Sequence, residues 1–218
     1  MIKTVLFDLD GTLVDTAPDM AAALDQLCRE QDQILLPFER VRPVVSDGSV
    51  ALVELAFGNE LEEEYLTYLK QRYLDIYAGK IAVHSKLFDG TRSVLDHLSR
   101  EGMNWGVVTN KPAWLTEPLM EALGLKQLAA CIVSGDTTAH SKPHPAPMFH
   151  ACKLAGSTAA ECLYVGDARR DIEAGNNAGM KTLIALYGYI GEDEDPRDWK
   201  AGHAINKPEE ILQYLTAS

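Results

Sequence analysis

The sequence predicts an open α/β fold: a parallel sheet covered by helices on both faces, with a helical segment inserted after the first strand. Three observations predict it. Five short apolar segments show no clean polar–apolar alternation, which suits strands buried on both faces. Helical patterns lie among these segments, and strands alternating with helices imply crossovers and a parallel sheet. Residues from about 16 to 84 carry helical spacing and no strand signal.

The first strand, Val5-Leu6-Phe7, runs directly into Asp8-Leu9-Asp10-Gly11-Thr12-Leu13-Val14-Asp15. Asp residues at alternate strand positions point to opposite faces. Gly11 permits the turn that lets Asp8 and Asp10 take different roles. The alternative is a strand closed by an Asx/Gly turn.

The inserted segment follows. Pro18 suits a first helical turn, and Met20, Leu24, Leu27 and Cys28 continue at helical spacing. A second helix is expected after Pro37. A third carries Val50, Val53, Leu55 and Phe57 and ends near Gly58-Asn59. The fourth repeats Leu61, Tyr65, Leu69, Tyr73 and Ile76-Tyr77 at steps of three and four. The chain then returns near Ile81 to Phe88.

Beyond it come the strands Trp105 to Thr109, Cys131 to Ser134, Cys162 to Gly166 and Thr182 to Leu186. The helical patterns are Val94, Leu95 and Leu98; Leu115, Leu119 and Leu123; and Met148, Phe149 and Cys152. The acidic run Glu60 to Glu64 reads as the start of an exposed helix, and the cluster from Glu192 to Asp198 reads as a loop.

Four constellations stand at predicted strand ends, where open α/β sheets place their ligands. A carboxylate such as Asp8 can take up a phosphoryl group as a covalent intermediate, and Asp10 can protonate a leaving oxygen and then deprotonate water. Thr109-Asn110-Lys111 offers a hydroxyl and main-chain amides to a phosphate oxygen, or is an ordinary loop opening. In Ser141-Lys142-Pro143-His144-Pro145 two prolines stiffen the loop around a lysine; a solvated lysine in a turn is the alternative. Gly166-Asp167 through Asp171 places two carboxylates one helical turn apart, hard oxygen ligands that suit Mg²⁺. Helix capping by Asp167 is the alternative there.

At 218 residues, 46% hydrophobic and 24% charged, the chain has material for a substantial core. No apolar run approaches a bilayer span, and no signal-peptide pattern opens it, so no membrane association is expected. A net charge of −12 argues against nucleic-acid binding. It leaves room for a small phosphorylated ligand, because a metal ion and one lysine reverse the local potential. Cys28, Cys131, Cys152 and Cys162 are widely spaced, as expected of buried free thiols in a cytoplasmic protein. Oligomeric state is left open.

Asp8-Leu9-Asp10-Gly11-Thr12, Thr109, Lys142 in Ser-Lys-Pro, and Gly166-Asp167 through Asp171 resemble the four motifs of the haloacid dehalogenase superfamily, in order and over the whole chain. Within it the chain is most similar to the phosphoglycolate phosphatase-like group. Ala82 to Phe88, Trp105 to Pro112 and Tyr187 to Ile190 are also similar to N-acetylmuramic acid 6-phosphate phosphatases. The resemblance implies a Rossmann-like core from residues 1–15 and 85–218 and a helical cap from 16–84. It implies a Mg²⁺-dependent phosphatase of a small phosphorylated metabolite working through an aspartyl-phosphate.

By that resemblance Asp8 is the nucleophile and Asp10 the acid/base, and Thr109 and Lys142 hold the phosphoryl, with Asn110 beside them. Mg²⁺ is bound by the Asp8 side chain, the Asp10 main-chain carbonyl and Asp167, with Asp171 in support. Ala168 departs from the family, which often carries a polar residue there. In the cap, Ser46, Asp47 and Gly48, the polar turn opening the third helix, are the candidates for substrate contact; helix capping is their alternative. A dehalogenase would have no alkoxide for Asp10 to protonate. A sugar-phosphate mutase and a non-enzymatic binding protein are the other rivals.

Overall fold

The computed structural model describes residues 1–191 and 193–215. Six parallel strands form one sheet in the order β5-β4-β1-β6-β7-β8: β1 (Thr4–Phe7), β4 (Asn104–Val108), β5 (Cys131–Val133), β6 (Cys162–Gly166), β7 (Lys181–Ala185) and β8 (His203–Ile205). The five predicted strands are present within a residue or so at each end. The three-residue β8 was not foreseen.

Alternation along the strands sends side chains into two separate cores, which is why no strand carries a polar face. Val5, Phe7, Val107, Leu163, Val165 and Leu183 pack on one side, with Val94, Leu95 and Leu98 of α5 (Thr91–Arg100) and Leu119 and Met120 of α6 (Ala113–Ala122). Leu6, Val108, Val133 and Tyr164 point the other way, toward Met148 and Cys152 of α7 (Ala146–Ala155) and Ala174 and Ala178 of α8 (Arg169–Ala178). The result is three layers.

The chain winds outward from β1 through β4 to β5, then returns to build β6, β7 and β8 on the opposite side. The direction of winding therefore reverses between β1 and β6, the position at which such sheets form a ligand crevice. Phe7 is in register with both Val107 and Val165. Asp8, Thr109 and Asp167, one and two residues further on, consequently emerge together at one sheet edge.

Between β1 and α5 stand α1 (Ala17–Glu30), α2 (Phe38–Val41), α3 (Gly48–Phe57) and α4 (Glu63–Ala78). They share their own apolar core of Leu24, Leu27, Val41, Leu52, Leu69 and Tyr73. A 3-10 segment, Arg42–Asp47, joins α2 to α3. Leu61 lies ahead of α4 rather than within it. Two two-residue strands, β2 (Val14–Asp15) and β3 (Lys86–Leu87), pair antiparallel where the chain leaves the sheet and where it returns. They too were not anticipated.

Three side chains assigned to apolar helix faces are exposed instead: Val50, Tyr65 and Phe149. Each stands one helical step off the row that packs. In α7, for example, Met148 and Cys152, four apart, are the buried pair. The acidic stretch from Asp193 holds a short 3-10 turn, Pro196–Trp199; Glu192, included in the expected loop, lies outside the described residues. All four cysteines are buried and free. Among the described residues no helix is long and apolar enough to cross a membrane.

Candidate active site

Asp8 follows β1 directly, its N–H donating to Val165 O at 2.9 Å. Residues 9–14 curl back through Val14 N–H to Leu9 O (2.9 Å) and Gly11 N–H to Val14 O (3.0 Å). Gly11 carries φ +84°, and a Cβ there would stand 2.1 Å from Asp167 Oδ2. No other residue fits both the backbone angle and that approach.

Asp8 Oδ1 accepts from Leu9 N–H (2.7 Å) and faces Lys142 Nζ at 2.9 Å. Its second oxygen has no hydrogen-bond partner among the described residues. Lys142, wholly buried and preceding a cis proline bond, also donates to Asp171 Oδ1 (2.6 Å), Val108 O and the Tyr164 hydroxyl (2.9 Å each). Burial works against its ammonium, but Asp171 and Asp8 outweigh that and hold its pKa above the ordinary lysine value.

Asp171 receives Lys142 on one oxygen and the Ala168 N–H (3.0 Å) on the other. Ala168 is the first residue flanking α8 and has no side-chain acceptor, so Asp171 reaches back to satisfy that amide. The capping alternative for Asp167 is not realised. Its Oδ1 accepts from Thr12 Oγ1 (2.7 Å), and its Oδ2 accepts from Tyr189 N–H (2.8 Å) and Ser46 Oγ (3.2 Å).

Asp8, Asp167 and Asp171 are all buried, with oxygens within 4.8 Å of one another. Burial and the charge of Asp171 push the Asp8 carboxyl up to about 6, against the pull of Lys142. Burial, then the charges of Asp8 and Asp171, push Asp167 up to about 7. Asp167 has only neutral hydrogen-bond donors, and Lys142 is the one cation in direct contact with the three carboxylates among the described residues, with the Arg170 charge further off. The excess of negative charge, on hard oxygen donors, fits a divalent cation such as Mg²⁺.

Asp10 lies beside this cluster. Its Oδ1 accepts from Thr16 Oγ1 (2.6 Å) and from Lys111 Nζ (3.0 Å). Lys111 is buried, and its ammonium sits 4.6 Å from the centre of the Tyr77 ring. Thr109 Oγ1 accepts from Lys111 N–H (3.1 Å), and Asn110 exchanges two hydrogen bonds with the main chain of Lys142.

A cavity of about 320 Å³ opens above these groups. Asp8, Asp10, Thr109 and Asn110 form its floor, and Ser46, Asp47 and Gly48 reach it from the helical segment. Asp47 precedes α3 but makes no capping hydrogen bond. Lys142, Asp167 and Asp171 stand behind Asp8 and do not line the cavity. All ten residues singled out in the sequence thus lie in or directly behind one site.

Five more residues complete it: Thr12 and Thr16, Lys111, Arg170 and Tyr189. Thr12, Lys111, Arg170 and Tyr189 fall inside strings that the sequence already marked, but their partners are distant in the chain. Arg170 hydrogen-bonds the Ser46 carbonyl across 124 positions.

Comparison with known proteins agrees with this geometry. The profile of the haloacid dehalogenase-like hydrolases matches residues 5–185. The chain belongs to that family. It is 40% identical over 211 residues to a phosphoglycolate phosphatase of Xanthomonas campestris, covering 97% of this chain and 95% of that one. It is also 40% identical over 214 residues to an N-acetylmuramic acid 6-phosphate phosphatase of Pseudomonas aeruginosa, covering 98% and 95%. A crystal structure of a predicted phosphoglycolate phosphatase from Haemophilus somnus superposes with a TM-score of 0.87 at 28% identity, covering 98% and 97%. A subfamily IA hydrolase of the superfamily from Geobacter sulfurreducens shares the fold, with a TM-score of 0.75 at 20% identity over 98% and 96%. With this kinship and this site, the chain is a phosphoric monoester hydrolase.

Proposed function

We propose that the enzyme hydrolyses a small phosphorylated carboxylic acid of the phosphoglycolate type, with Asp8 as nucleophile and Mg²⁺ as cofactor. The observation that carries this reading is the unpartnered oxygen of Asp8, held at the cavity floor by Leu9 N–H and Lys142 through its other oxygen. A carboxylate fixed this way presents one oxygen for in-line attack on phosphorus.

Asp8 displaces the alcohol and becomes an aspartyl-phosphate. Asp10, steadied by Thr16 and Lys111, gives its proton to the departing alkoxide and then takes one from the attacking water. Thr109 and Asn110 border the phosphoryl. Lys142 holds Asp8 and, with Asp171, fixes its orientation. Asp8, Asp167 and the Asp10 main-chain carbonyl would hold Mg²⁺, with Asp171 in support; the ion supplies charge neutralisation at the phosphoryl oxygens.

Residues 16–84 serve as a cap, bringing Ser46, Asp47 and Gly48 over the site and excluding water. The buried free thiols support a cytoplasmic setting. The acidic net charge disfavours a nucleic-acid partner.

A second substrate, N-acetylmuramic acid 6-phosphate, is favoured by cavity size. About 320 Å³ lies in the range of ordinary ligand pockets and exceeds what a two-carbon acid fills. Phosphate release from a panel of phosphorylated metabolites, ranked by kcat/KM with Mg²⁺ and with EDTA, tests both. Highest efficiency on one of the two phosphorylated acids, abolished by EDTA, is the expected result. No phosphate release from any ester, or release indifferent to metal, would overturn the reading.

A further inference from the structure

Resting on that phosphatase reading, we propose that Lys111 and Arg170 form a second anion subsite, which binds a carboxylate carried by the leaving alcohol of the substrate. Both side chains line the cavity floored by Asp8 and Asp10. The remainder of the wall is largely apolar, with Met20, Tyr73, Tyr77 and Leu115. Cations set into an apolar wall strengthen their hold on an anion, because little water competes there.

Neither cation is saturated. The Lys111 ammonium has three N–H donors, and Asp10 is the one hydrogen-bond acceptor it meets among the described residues. The Arg170 guanidinium has five. It donates to the Ser46 carbonyl and lies 3.7 Å from Asp47 Oδ1. Asp47 is more than half exposed (57%), so this pair contributes little and yields to a better-placed anion.

Position decides which part of the substrate they meet. Asp10 addresses the ester oxygen, and Lys111 stands one hydrogen bond beyond Asp10. In the phosphate ester of a 2-hydroxy acid, the carboxylate oxygens fall about 3–4 Å from the ester oxygen, given ordinary bond lengths. Lys111 is therefore within reach of such a carboxylate while Asp8 attacks phosphorus. Arg170 borders the same cavity and is tied to Ser46 of the helical cap. One of the two 40%-identical relatives is named for phosphoglycolate, the phosphate ester of a 2-hydroxy acid.

The test compares kcat/KM for phosphoglycolate and 2-hydroxyethyl phosphate, which differ by a carboxylate in place of a neutral CH₂OH. The wild type is expected to favour the carboxylate by 10-fold to 100-fold, about the difference made by one charged hydrogen bond. Arg170→Gln and Lys111→Met are each expected to reduce the ratio to below about threefold, chiefly through KM for the acid, and Lys111→Arg to retain most of it. The ratio divides out any general loss of turnover. Should Lys111→Met not fold, Arg170→Gln, at a partly exposed site, decides alone. Equal efficiency of the wild type on both esters, or a ratio surviving in Arg170→Gln, would overturn the subsite while leaving the phosphatase reading intact. Failure to hydrolyse either ester while other phosphate esters are hydrolysed would overturn the subsite alone, and no release from any ester would overturn both.

Discussion

Tyr189 is bonded to Asp167 through its main chain and to Asp15 and Ala17, where the chain enters the helical segment, through its side chain. Its N–H donates to Asp167 Oδ2 at 2.8 Å, its hydroxyl donates to Asp15 Oδ1 at 2.6 Å, and the same hydroxyl accepts from Ala17 N–H at 2.9 Å. Arg42 of the helical segment lies 4.8 Å from its ring centre and donates to the carbonyls of Tyr187 and Gly188. One loop after β7 therefore fixes a carboxylate of the candidate metal centre and the exit of the chain toward the helices.

Tyr189→Phe removes the two side-chain hydrogen bonds and keeps the amide on Asp167. Two buried hydrogen bonds contribute about 1 kcal/mol each, so kcat/KM should fall about 5-fold to 30-fold. The Mg²⁺ concentration for half-maximal activity should stay within about threefold of wild type. Steady-state kinetics across a Mg²⁺ titration checks both; a large loss of metal affinity would show that the hydroxyl, not the amide, supports Asp167.

Asp8→Asn should fold and lose more than about 10³-fold in turnover, because the amide cannot accept the phosphoryl group. Asp10→Asn should lose far more activity on an alkyl phosphate than on p-nitrophenyl phosphate, whose leaving group needs little protonation. Parallel assays on both esters separate nucleophile from acid. Equal losses on the two esters in Asp10→Asn would remove its acid role.

Metal-free protein should lose stability as pH rises. Asp8 and Asp167 titrate near 6 and 7 when folded, above the 3.9 of an unfolded aspartate. Between about pH 4 and 7 the native state therefore binds more protons than the unfolded chain, and unfolding free energy declines with pH. Thermal denaturation in EDTA should give a lower Tm at pH 7.5 than at pH 5.5. Added Mg²⁺ should raise Tm more at pH 7.5 than at pH 5.5.

Lys142→Met should destabilise the fold by about 3–5 kcal/mol, since it strands Asp8 and Asp171 as buried carboxylates without their ammonium. Adding Asp171→Asn to that variant should recover part of the loss. Chemical denaturation of the single and double variants measures the coupling.

The sheet and the carboxylates were legible in the sequence because their signals are local. An apolar run ending in Asp8, or in Gly166-Asp167, states both a buried strand and its functional end. Other features depend on tertiary contacts that no local pattern encodes. Thr-Asn-Lys reads as a loop until Lys111 is seen against Asp10 and Tyr77. Arg170 neighbours Asp171 in sequence yet turns toward Ser46. Strands β2, β3 and β8 are two or three residues long, too short for periodicity to declare. Phe149 and Tyr65 fitted an apolar stripe by spacing, but the packed row ran beside them.

The β2–β3 ribbon has an evolutionary consequence. Val14 faces Leu87 and Asp15 faces Lys86, so the two severed ends of the insertion stand about 5 Å apart. On the proposed reading, a graft at this seam can exchange the whole roof of the enzyme while Asp8 and Asp10 stay on an unaltered foundation, which leaves selectivity and chemistry free to diverge at different rates within one lineage.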